Sequence, residues 1–126
     1  MFSRLQKTAL FRAFPALAAV LAPALALAAE GVPLKVPTDP NAKYTVLEVR
    51  DAGIGRAEII TRREGASGIL YARRMIDCET DTFEYMGEGA TLEEMYQSPP
   101  AGVVGETVPG TVAFTIADYA CESIGR

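Results

Sequence analysis

Cys78 and Cys121 are the only cysteines of the chain and stand 43 positions apart. They lack the Cys-x-x-Cys spacing of a dithiol redox centre, which leaves a structural disulfide or a reactive thiol. A nucleophilic Cys78 needs nearby cations to depress its pKa. In "YARRMIDCETDTFEY" Arg73 and Arg74 are close, but Asp77 and Glu79 flank the sulfur directly and oppose that effect. A disulfide is the more economical reading. On the chain-entropy model, closing a loop of this length stabilises the fold by about 4 kcal/mol. We therefore expect a staple between Cys78 and Cys121.

The sequence holds no histidine and no tryptophan. That removes the commonest general base, the commonest transition-metal ligand and every Ser-His triad. "GASG" at residues 65–68 is one spacer residue short of a nucleophile elbow and joins two strand-like runs, so it reads as a turn. Carboxylates are plentiful, and a glycosidase-like pair among them defines a hydrolase alternative. Asp77, Glu79 and Asp81 stand at every second position and would share one edge of an extended segment, a weak calcium locus without a calcium-loop motif. Met75, Met86 and Met95 are too scattered for a copper site and read as packing residues. We expect no catalytic residue, no metal and no cofactor.

Charge is laid out unevenly. Residues 50–74 carry six arginines against three acids, whereas residues 77–126 carry ten acids and one arginine. Arg62, Arg63, Arg73 and Arg74 are a candidate binding surface, a basic ribbon for an acidic glycan, phosphate headgroup or protein patch. The competing and favoured reading pairs these arginines internally with Glu58, Glu64 and the downstream acids.

The elements that must position these groups follow from periodicity. Residues 30–41 carry Pro33, Pro37 and Pro40 and read as an extended, unpaired tether. "YTVLEVR" alternates as a first strand and ends at the turn-forming "DAGIG". "RAEIITRREGASGILYARRMIDC" is a β-hairpin about residues 64–68, with Cys78 on the more apolar face beside Leu70, Ala72 and Ile76. "DTFEY" continues as a strand that Gly87-Glu88-Gly89 ends. "TLEEMYQS" has Thr91 and Glu94 in a capping box and predicts a short helix to about Ser98. Residues 101–110 read as an exposed, mobile glycine-rich loop. In "TVAFTIADYAC" Thr111 is placed to cap a helix, although Val112, Phe114 and Ile116 also alternate as a strand would.

The N-terminal "MFSRLQKTALFRAFPALAAVLAPALALAAEG" has three cations, then an apolar run closed by Ala26-Leu27-Ala28, the pattern of a secretory signal peptide. An uncleaved anchor is the alternative. Cleavage before Ala29 leaves nine Lys/Arg against sixteen Asp/Glu, a net charge of −7. The expected organisation is a signal peptide over 1–28, a Pro-rich lead-in over 29–42 and one domain over 43–126. So small a domain profits from a covalent clamp, which export to an oxidising compartment permits. Its charge makes nucleic acid a poor partner.

The order of these features resembles the surface-adhesin protein E-like family of exported bacterial proteins. The resemblance rests on "MIDC" closing a strand at Asp77-Cys78, the aromatic strand with Phe83 and Tyr85, and Pro109-Gly110-Thr111 leading to Cys121. It covers roughly residues 43–121. It implies an α+β fold, a small antiparallel β-sheet packed against one or two helices and stapled by Cys78–Cys121, at or outside the cell envelope. No ligand motif of the family can be matched here, and no lipid-anchor cysteine is present. The expected function is an exported, non-enzymatic binding or adhesin-like module, periplasmic or secreted, with a protein or glycan ligand and no membrane span after cleavage. The rival expectations are an inhibitor of a secreted basic enzyme such as a lysozyme, and a small carboxylate-based hydrolase.

Overall fold

A computed structural model describes residues 31–126; the expected signal peptide over 1–28 lies outside them. Six strands form one antiparallel sheet in sequence order: β1 (Val32–Leu34), β2 (Lys43–Asp51), β3 (Arg56–Gly65), β4 (Gly68–Asp77), β5 (Thr82–Gly89) and β6 (Val104–Glu106). Helix α1 (Leu92–Gln97) separates β5 from β6, and α2 (Val112–Ser123) closes the chain. The fold is α+β, with a small sheet, two helices and a Cys78–Cys121 disulfide. Among the described residues no helix is long and apolar enough to cross a membrane.

The hairpin forms where glycine permits it. Gly65 pairs with Gly68, whose φ of 116° suits a residue without a Cβ, and Ala66-Ser67 make the connection. Strand alternation then sorts the side chains of β3 and β4. Ala57, Ile59, Ala72 and Ile76 point to one face, where Val36, Tyr44, Val46 and Cys78 join Ile116, Ala117 and Ala120 of α2 in the main core. Helix α2 thus resolves the helix-or-strand ambiguity of residues 111–121. Thr111 Oγ1 accepts the Phe114 N–H at 3.2 Å, and helical spacing buries three side chains at once.

Helix α1 lies on the opposite face. Its capping box is present: Thr91 Oγ1 accepts the Glu94 N–H at 3.1 Å, while Glu94 Oε1 accepts the Ala90 N–H at 2.9 Å. β5 ends at Gly89, within the stretch the sequence suggested, but Gly87 and Gly89 still belong to the strand and pair with Arg73 and Tyr71. A Cβ on Gly87 would run into the Met95 carbonyl oxygen, and one on Gly89 into Glu94. The bare strand backbone lets α1 approach until Met95 is fully buried.

Three further expectations are corrected. The proline-rich segment is no tether: residues 32–34 pair with β2 and Val36 is buried in the core. Pro33 is accommodated because β1 is an edge strand, where one side needs no ladder bond. The glycine-rich loop is tied down, with β6 paired to β5, Thr107 buried, and the Ala101 and Thr107 N–H groups bonded to the Tyr85 and Asp81 carbonyls. Asp77, Glu79 and Asp81 do not share an edge. Residues 78–81 turn, and Asp77 Oδ1 accepts the N–H groups of Glu79 (3.0 Å) and Thr80 (3.1 Å).

Candidate functional site

The four candidate arginines do not form a ribbon. Each occupies a strand on which neighbouring residues face opposite ways, so the sheet sends Arg63 and Arg74 to the α2 face and Arg62 and Arg73 to the α1 face. On the α2 face Arg63 Nε donates to Asp39 Oδ2 at 2.8 Å and to the Tyr44 hydroxyl at 3.2 Å, and that hydroxyl donates to the same carboxylate oxygen. The Arg63 hydrogen bond, then that of Tyr44, holds the Asp39 carboxyl below its ordinary pKa. Burial, followed by the Asp39 hydrogen bond, raises that of Tyr44.

Arg74 is 6% exposed. Its Nη1 donates to Thr61 Oγ1 at 2.9 Å and its Nη2 to the Tyr85 hydroxyl at 3.3 Å, with the guanidinium 4.8 Å from the Tyr85 ring centroid. Among the described residues no carboxylate comes within salt-bridge distance of it. Hydroxyl groups and an aromatic face carry its charge. Tyr85 in turn meets Phe83 edge-on at 5.5 Å.

On the α1 face Glu58, only 5% exposed, lies between Arg50 and Arg73; Arg73 Nη1 donates to Glu58 Oε2 at 2.8 Å. Arg73 also lies over the Tyr96 ring of α1, 5.6 Å from its centroid. Arg62 pairs with Glu64 at 3.2 Å and lines a trough of about 300 Å³ with Ile60, Tyr71, Leu92 and Tyr96. Hence Arg63, Arg73 and Arg74 brace the sheet and its contacts with the lead-in and α1, while Arg62 borders a concavity. Arg63 meets the upstream Asp39 rather than a downstream acid, and Arg74 meets Thr61 and Tyr85 and, among the described residues, no acid.

With these cations engaged, the outward chemistry lies at the β5–β6 margin. Val103, Val104 and Val108 are 70%, 63% and 49% exposed, beside Asp81, Glu84 and Glu106. Gly102 N–H donates to Glu84 Oε2 at 3.1 Å, which fixes the start of this segment. Gly105 lies against the Phe83 ring, so Val104 and Glu106 face the other way, on the side of Glu84 and Thr82. Nearby, the Cys78–Cys121 disulfide (Cα–Cα 5.9 Å) borders a crevice of about 160 Å³ shared by Asp77, Asp118, Glu122 and Arg126. The N–H groups of Thr80 and Glu79 hold Asp77 below the ordinary carboxylate range. Among the described residues no three His, Cys, Asp or Glu side chains gather as metal ligands.

Sequence reasoning located the acids of this margin but not the strand within it. "VVGET" is a three-residue ladder between prolines, with β-branched residues as its only signal. In comparisons with family models, curated proteins and solved structures the chain matches none, so its site is described by its own geometry.

Proposed function

We propose that this chain is an exported, non-enzymatic binding module of the bacterial cell envelope, acting on a protein partner through the β5–β6 margin. The observation that carries this reading is the exposed valine ridge of residues 103, 104 and 108 on an acidic surface. Apolar side chains rimmed by charge mark interaction sites. The signal-like N-terminus, the stapled small domain and the histidine-free sequence support export and binding rather than catalysis. The resemblance to the surface-adhesin protein E-like family belongs to the same proposal. Crosslinked pull-down from envelope extracts with the oxidised chain is expected to recover a partner; recovery of none overturns the reading.

A second reading, inhibition of a secreted basic enzyme such as a lysozyme, is favoured by the ten acids against one arginine after residue 76. Stoichiometric mixing with lysozymes should then abolish turnover, and undiminished activity removes it.

A further inference from the structure

We propose that the outer edge of β6 receives an extended, lysine- or arginine-rich segment of a partner protein as a seventh strand. This rests on the binding-module reading and specifies how its site engages the partner. A sheet edge presents unpaired N–H and C=O groups, and proteins ordinarily guard it with proline, lysine or a covering element. The two edges of this sheet differ in that respect. β1 contains Pro33 and is followed directly by Lys35. β6 contains neither; its sequence is Val104-Gly105-Glu106, preceded by the most exposed valine of the segment, Val103. Among the described residues no strand pairs with its outer side.

The chemistry of the added strand follows from what surrounds the edge. Gly105 packs on Phe83, leaving Val104 and Glu106 to meet the incoming side chains on the α1 face. An apolar residue suits Val104 and a cation suits Glu106, with Glu84 one strand further in. Asp81, in the turn before β5, adds the same sign of charge at one end of this edge. A second copy of this chain would set these acids against each other, so the occupant is a basic segment from another protein. Main-chain hydrogen bonds supply affinity and alternate side chains supply selection, as in strand addition generally. The ladder is short, so binding should be modest and strongly salt-dependent.

The test uses the oxidised chain labelled with nitrogen-15 and a short peptide of alternating lysine and valine. Expected are shifts and slowed hydrogen exchange at the amides of Val104 and Glu106, which point away from β5 because the next one, Thr107 N–H, bonds to the Asp81 carbonyl. Binding should weaken about tenfold or more from low to physiological salt, and a glutamate–valine peptide should not bind. Val104→Pro should abolish the slowed exchange; Glu106→Gln, which preserves the backbone, should weaken binding and flatten its salt dependence. Peptide shifts confined to the α1-face trough, undiminished binding by both variants, no peptide binding, or dimerisation through β6 would each overturn the proposal. If wild type and Val104→Pro recover the same partner from envelope extracts, the edge is wrong and the binding module stands. If neither recovers one, both readings fall.

Discussion

Glu58 shows how much one residue's surroundings decide. Its carboxylate is withdrawn from water and held by Arg50 and Arg73, so Glu58→Gln leaves two guanidinium groups facing a neutral amide. A loss of about 3 kcal/mol is expected in urea unfolding, the scale for breaking a buried pair from one side. Disrupting the more exposed Arg62–Glu64 pair with Arg62→Ala should cost less than about 1 kcal/mol. Asp39 gives a pH signature. Its folded pKa is lowered, so its stabilisation is complete above the unfolded value near 3.8 and is lost as pH falls through the folded value. Stability measured from neutral pH downward should therefore fall less steeply below pH ~4 in Asp39→Asn than in wild type. The parity of Arg73 and Arg74 was legible in the hairpin, because successive strand residues alternate faces. Their partners were not: Asp39 reaches Arg63 only because the lead-in folds back, which no local pattern encodes.

At the scale of elements, both helices could be read from their caps. Thr91 and Thr111 accept the N–H groups expected of them, and Thr111→Ala should lower stability by about 1 kcal/mol. Strands β1 and β6 could not be read. Each has three residues beside prolines or glycines, and its existence depends on a neighbour already in place. The same glycines mislead at the end of β5, where they suggest a turn but provide room for α1. Gly87→Ala should lift α1 from the sheet, at a cost of about 1–3 kcal/mol, with faster hydrogen exchange across residues 92–97 as the local readout.

Across the whole molecule the reversal of charge along the sequence becomes a division between interior bracing and exterior surface. Arginines hold β2, β3, β4 and the lead-in together, while Asp81, Glu84 and Glu106 of the acidic second half lie along the β5–β6 margin. The disulfide joins the end of β4 to α2, as the two cysteines implied. Replacing both cysteines by serine should cost about 4 kcal/mol. Mass spectrometry without reductant should find the chain two hydrogens short of the dithiol. The strand order carries one more consequence. Every strand pairs only with its neighbour in sequence, so the sheet has low contact order and should assemble quickly. Cys78 is then already in position before the final segment brings Cys121 to it. Oxidation becomes the closing event of folding, and an oxidant arriving early finds a single thiol with no wrong intramolecular partner to choose.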